Sequence, residues 1–153
     1  MIILYKYLGI ILIPLIKLNV FFRIVRGKEN KARFSERYGI TSLERPEGNV
    51  VWIHAASIGE FKSADLLINL LCKNYTILVT TTTLSAANFA SKNYAHKIIH
   101  QFAPLDISLW VEKFLNKWRP KLVIWIESDL WPITKESVSY THLRAHETLR
   151  YLE

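Results

Sequence analysis

With one cysteine in 153 residues, the chain cannot form an internal disulfide, and a reducing compartment is the simpler expectation. Cys72 lies in a helical pattern with no activating neighbour in sequence, and it reads as a small core residue rather than a nucleophile. No Gly-x-Gly-x-x-Gly follows the first strand pattern, so a dinucleotide-binding fingerprint is absent. The apolar core from Tyr7 to Ile16 falls short of the ~20 residues that span a bilayer comfortably. Acidic residues are scarce. Thirteen Asp and Glu against 20 Lys and Arg leave a net charge of +7, which points to anionic partners without choosing among them. The basic residues form no aromatic-interleaved stripe, so nucleic acid is not the expected partner. What remains is 50% hydrophobic and long enough for one domain with a proper core, but too short for two full-sized ones.

The stretch from Val50 to Glu60 organises the rest. Val50, Val51, Trp52 and Ile53 are β-formers entered from the turn Arg45-Pro46-Glu47-Gly48-Asn49, the pattern of a buried strand. After His54 come the small residues Ala55-Ala56-Ser57, and then Ile58-Gly59-Glu60 opens an amphipathic helix carrying Phe61, Ala64, Leu67, Ile68 and Leu71. Ser57, Gly59 and Glu60 are thereby expected at the carboxyl end of a strand, the ligand-binding edge of an open α/β sheet. Two readings of Glu60 follow. Ser57-x-x-Glu60 fits a capping box. Equally, Glu60 is a candidate general base at a helix mouth, beside a glycine whose bare backbone admits a substrate. Residue types alone do not choose.

Three further strands are expected. Thr76–Thr80 leads into the threonine run Thr80 to Thr83, whose hydroxyls suit either a helix cap, with Thr83 the candidate, or a phosphate or sugar oxygen. Residues 97–102 form the next strand, with His100 read as a satisfied near-core histidine. Pro104-Leu105-Asp106 ends it, and Asp106 is the expected N-cap of a helix that Arg119-Pro120 stops. Leu122–Ile126 is an unbroken apolar strand that delivers Glu127 and Asp129 to the edge already holding Glu60. Those acids and Trp131 can serve a sugar, or be a solvated loop with a core tryptophan. The fold class is α/β, with a mainly parallel, Rossmann-like sheet of β-α repeats.

Upstream, residues 1–22 are nearly apolar but are interrupted by Lys6, Pro14, Lys17 and Asn19. No small-residue cleavage site follows, and the strongly basic downstream flank would stay in the cytoplasm. The segment is expected to be a membrane anchor or embedded helix, spanning or interfacial, followed by a basic connector over 23–48 with one short helix. Within that connector Arg33 and Arg37 lie four apart and share a face with Glu29 or Glu36, either as a solvated salt-bridged turn or as an anion site. Phe34 reads as a core contact. The α/β domain is assigned to 49–136. The tail from 137 to 153 loses the sheet pattern and resembles translated adaptor read-through. His142 and His146 there lack a third ligand, so no metal site is assigned.

His54-Ala55-Ala56-Ser57-Ile58-Gly59-Glu60 resembles the signature of the 3-deoxy-D-manno-octulosonic acid (Kdo) transferases of lipopolysaccharide synthesis. Arg33-Phe34-Ser35-Glu36-Arg37-Tyr38-Gly39, Val79 to Thr83 and Glu127-Ser128-Asp129-Leu130-Trp131-Pro132 match the same pattern in the same order, with Pro104-Leu105-Asp106 a smaller match. The resemblance implies the amino-terminal half of a two-domain GT-B glycosyltransferase, acting at the cytoplasmic face of the inner membrane. It implies transfer of Kdo from CMP-Kdo to a lipid A precursor without a metal or other cofactor, with Glu60 as the base. Arg33 and Arg37 would then hold acceptor phosphates, and Ser57, Gly59, Thr81, Thr82, Glu127, Asp129 and Trp131 would line the substrate site. A carboxyl-terminal domain, absent from this chain, would bind most of the donor, so little or no transfer is expected of these 153 residues alone. The alternatives are a membrane-bound acceptor-binding module, an inert fragment, or a different GT-B transferase.

Overall fold

The computed structural model describes residues 2–126 and 132–141. Its centre is a four-stranded, wholly parallel sheet: β1 (Val50–His54), β2 (Thr76–Thr81), β3 (Ile99–Phe102) and β4 (Leu122–Trp125), in the spatial order β3-β2-β1-β4. All five residues of β1 are buried, as a central strand covered on both faces requires.

Successive residues of a strand face opposite sides, and this splits the core in two. Val51 and Ile53 of β1, with Ile77 and Val79 of β2, pack against Phe61, Ala64, Ile68, Ala90 and Tyr94. Those belong to α3 (Ile58–Ser63), its C-cap, α4 (Asp65–Leu71) and α5 (Leu84–Tyr94). On the other face Val50, Trp52 and Leu78 meet Val111, Phe114, Leu115 and Trp118 of α6 (Ser108–Trp118), with Ile133 of α7 (Pro132–Thr141). The chain thus steps outward from β1 to β2 to β3 and returns by α6 to the far side of β1. The strand order reverses between β1 and β4, and their carboxyl ends mark the topological switch point at which open α/β sheets bind ligands.

Several local expectations need correction. The helix after β1 is not continuous. Ala64 N–H is shared between the carbonyls of Glu60 and Phe61, and Ser63 Oγ donates back to Gly59 O at 3.1 Å, side-chain competition that bends a helix. Asp106 does not cap α6, whose N-cap Ile107 makes no side-chain bond. Its carboxylate instead accepts from Ile133 N (3.2 Å) and Thr134 N (2.8 Å), closing the first turn of α7. Phe34 is no core residue: it is 36% exposed and meets Tyr38 edge-on.

The amino-terminal segment is two helices, α1 (Ile2–Ile11) and α2 (Ile13–Val25), with Pro14 in the first turn of α2, where its missing N–H costs no hydrogen bond. The second runs past residue 22, into the expected connector. α1 packs on α6 and α7, and among the described residues no helix is long and apolar enough to cross a membrane. The connector contributes a 3₁₀ turn, Phe34–Tyr38, ended by Gly39 in the left-handed region at φ 69°. The expected tail boundary at 137 falls inside α7, and Val138 packs against the second core cluster. His142 and His146 lie outside the described residues.

Candidate functional site at the carboxyl edge of the sheet

The turn after β1 begins with small residues because the backbone itself is the building material. Ala55 N–H donates to Thr80 O at 3.0 Å, and Ala56 O accepts from Thr82 N–H (3.3 Å) and Thr82 Oγ1 (3.0 Å). The turns following β1 and β2 are thereby tied into one ledge. Ser57 then starts α3 as an N-cap, its Oγ accepting from Glu60 N–H at 3.3 Å.

Glu60 completes a capping box and goes one residue further. Its Oε2 accepts from Ser57 N–H at 3.2 Å and from Ala56 N–H at 2.6 Å. Both bonds fall on the same oxygen. Oε1 makes no hydrogen bond among the described residues, and the side chain is half-buried rather than enclosed. The capping reading is therefore realised in the geometry, and it leaves one carboxylate oxygen available at the helix mouth. Gly59 beside it is exposed. A Cβ added there would meet only Ser57 Oγ, at 3.8 Å, so packing does not demand glycine.

The threonine run divides by position. Thr80 is buried, its hydroxyl bonded to Trp52 Nε1 and His54 Nδ1, each at 2.8 Å. Thr81 is equally buried and meets His100 Nε2 at 2.9 Å. Thr83 caps α5 as expected, accepting from Ala86 N–H at 3.2 Å. Thr82 holds the ledge and stays partly accessible, and the exposed Thr83 also reaches Ala56 O, at 3.5 Å. Of the threonines expected to bind substrate, Thr82 lies at the accessible edge and Thr81 points into the fold.

Arg33 and Arg37 serve the outer edge of the sheet. Arg33 forms a two-bond pair with Glu36 (2.8 and 3.0 Å) and donates to His100 O at 2.8 Å. Glu36 in turn accepts from Phe102 N–H at 2.7 Å. Arg37 is buried against Glu29 and donates to Ala103 O and, at 2.5 Å, to Thr82 O. Salt bridging was legible from the spacing, but solvation was not: Glu29, Glu36 and Arg37 are all buried. Glu29 is a residue whose importance the sequence left implicit. It receives both Arg37 and Arg23, the latter at 2.9 Å.

The buried cations shape the histidines. Burial, and then the positive charge of Arg37, hold His54 down to about 4. Burial, then Arg33 and Arg37, hold His100 down to about 3. Both imidazoles are neutral at pH 7. His54 stacks on Trp125 with centroids 4.6 Å apart, under the ledge rather than on it. Glu127, Asp129 and Trp131 follow β4 in sequence and lie outside the described residues.

The chain matches the family model for 3-deoxy-D-manno-octulosonic-acid transferase (kdotransferase) over residues 32–145, a match running past the point where the sequence pattern was expected to end. It is 41% identical over 132 residues to a probable 3-deoxy-D-manno-octulosonic acid transferase, mitochondrial, from Arabidopsis thaliana, covering 84% of this chain and 30% of that protein. It is 37% identical over 134 residues to a 3-deoxy-D-manno-octulosonic acid transferase of Rickettsia bellii (86% and 32%). For the Haemophilus influenzae protein of the same name the identity is 33% over 134 residues (84% and 31%). The chain thus spans about a third of the length of these relatives.

Proposed function

The chain belongs to the 3-deoxy-D-manno-octulosonic acid transferase family, and from that premise we propose that it forms the acceptor-side domain of a GT-B enzyme transferring Kdo from CMP-Kdo to a lipid A precursor. The observation that carries the reading is topological. Each strand of the parallel sheet is followed by a family block: residues 54–60 after β1, 79–83 at the end of β2, 104–106 after β3 and 127–132 after β4. The blocks after β1, β2 and β3 thereby meet at one edge of the sheet, and the fourth follows β4 in sequence.

In this reading Glu60 is the general base. Oε2 is fixed by the Ala56 and Ser57 amides, which holds the carboxylate in one orientation, and Oε1 takes the acceptor hydroxyl's proton as the anomeric carbon becomes cationic. Backbone amides at helix starts and nearby cations supply the electrostatic stabilisation. Ser57, Gly59 and Thr82 form the accessible ledge, and Glu127, Asp129 and Trp131, which follow β4 in sequence, are assigned to the substrate by the family pattern alone. Arg37 supports that ledge from behind through Thr82 O, while Arg33 braces β3 through Glu36 and His100 O. The setting is the cytoplasmic face of the inner membrane. Support comes from Leu8, Ile11, Leu15, Phe21 and Val25, all exposed on α1 and α2, and from the neighbouring Arg23, Arg26 and Lys28.

The test is a chimera joining residues 1–135 to the remaining length of a curated relative, assayed for Kdo transfer from CMP-Kdo. The chimera should be active, the 153-residue chain alone should show little or no transfer, and Glu60→Gln should lower turnover by at least ~10²-fold with its melting transition retained. Near-normal turnover of folded Glu60→Gln would reduce Glu60 to a helix cap. That second reading rests on the capping box itself, and it leaves the chain an acceptor-binding module.

A further inference from the structure

Between α2 and the back of the ledge lies a cavity of about 440 Å³, in the size range of small-molecule sites. One wall is Leu12, at the N-cap of α2, with Ile16 and Val20 of that helix; the floor is Glu29, Arg37 and Thr82. Its lining is therefore divided, apolar along the helix and charged at the inner end. The charge does not cancel. Arg23 and Arg37 share the single carboxylate of Glu29, leaving one net positive charge; Arg37 is 5% exposed, whereas Arg23, at 45%, carries its charge to the mouth of the cavity. Surplus positive charge where an apolar wall meets solvent favours an anion. At its rim the cavity reaches Leu15, which is 62% exposed and continuous with the outward apolar surface of α2.

We infer that this groove binds a single alkyl chain of an anionic amphiphile, the chain lying along Leu12, Ile16 and Val20 and the anionic head group turned toward Arg23 and Arg37. An uncharged chain would leave the excess cation unmatched, and a free small anion would leave the apolar wall wet; an amphiphile satisfies both ends. Thr82 joins the floor of the groove to the ledge, since its backbone carbonyl accepts from Arg37 while its hydroxyl holds Ala56. Ala56 N–H is in turn bonded to Glu60. A head group seated on the floor lies one residue from the ledge that carries the proposed base. The inference rests on the proposed function only in identifying the amphiphile as an acyl arm of the lipid acceptor.

The experiment is equilibrium binding of dodecyl phosphate to the 153-residue chain below the detergent's critical micelle concentration, followed by calorimetry. Parallel titrations use inorganic phosphate and dodecanol. Dodecyl phosphate should bind with one-to-one stoichiometry, and both parallel probes should bind at least about tenfold more weakly. Asn19→Trp, at an exposed rim position, and Ile16→Trp, inside, should each weaken dodecyl phosphate about tenfold, as losing about two buried methylene groups does. Leu18→Ser and Phe22→Ser, on the outward face, should leave it unchanged. Circular dichroism identifies any variant that has not folded, and Asn19→Trp decides if Ile16→Trp is lost. Equal binding of dodecanol, or loss on the outward face with none at the rim, would overturn the groove. A chimera unable to transfer Kdo, with this binding pattern intact, would sink the transferase reading alone.

Discussion

Glu29 and Arg37 form a buried ion pair in which Arg37 Nη2 lies 3.2 Å from each carboxylate oxygen and neither side chain is more than 5% exposed. Burial alone lowers the guanidinium's proton affinity, and the facing carboxylate raises it again. Removing Glu29 strands the buried Arg37, whereas removing Arg37 leaves Glu29 with Arg23. Glu29→Ala should destabilise the fold by about 3–5 kcal/mol in urea unfolding, whereas Arg37→Met combined with Glu29→Leu should cost clearly less. Equal losses in the single and double variants would mean that the pair is not a buried charge problem.

The cap at Ser57 and Glu60 has its own energetic signature. Ser57→Ala removes one acceptor and should cost about 1 kcal/mol. Glu60→Ala leaves the Ala56 and Ser57 amides without their acceptor and should cost about 1–3 kcal/mol. Urea midpoints of the two variants check the order, and a larger loss at Ser57 would contradict it.

Two glycines should respond oppositely to alanine. At Gly39 the backbone is left-handed, and an added Cβ would stand 2.1 Å from the carbonyl oxygen of Trp110. Gly39→Ala should destabilise by at least about 2 kcal/mol, since the strained conformation and the backbone clash add. At Gly59 the space is open, and Gly59→Ala within α3 should be neutral or stabilising by about 0.5–1 kcal/mol. Thermal melts of the two variants suffice.

Acid should weaken the fold through its histidines. His54 and His100 titrate near 6.5 when unfolded and at about 4 and about 3 when folded. Between those values the unfolded chain binds more protons, so stability rises with pH and is lost as pH falls below about 6.5. The slope contributed by each imidazole should reach about 1.4 kcal/mol per pH unit. Urea titrations from pH 7 to 4.5 should therefore show a falling midpoint, and His100→Gln should flatten it. An unchanged slope in that variant would remove His100 from the account.

Much of this was legible in the sequence because period and punctuation agreed. The apolar run at 50–53, the small residues at 55–57 and the helical spacing from Phe61 onward fixed the central strand, the turn and the helix start. Thr83 was readable as a cap because a hydroxyl precedes a helical pattern. Asp106 obeyed the same local rule and was misassigned, because the amides it serves belong to Ile133 and Thr134, 27 and 28 residues away. The solvated-turn reading of Arg33 and Arg37 failed for the same reason. Their spacing disclosed neighbours on the same turn, while their partners on β3 and beyond it, His100 and Ala103, are brought near only by the fold.

The way residues 33–37 lean on β3 has a bearing on how the chain behaves in company. The outward-facing valences of that last strand, the amide of Phe102 and the carbonyl of His100, are filled by Glu36 and Arg33 side chains. An open parallel edge would invite a second molecule to add its own strand there. The Arg-Glu pair works as a stopper that ends the sheet on one side, so shortening or neutralising this segment should turn a self-contained fold into one prone to clumping.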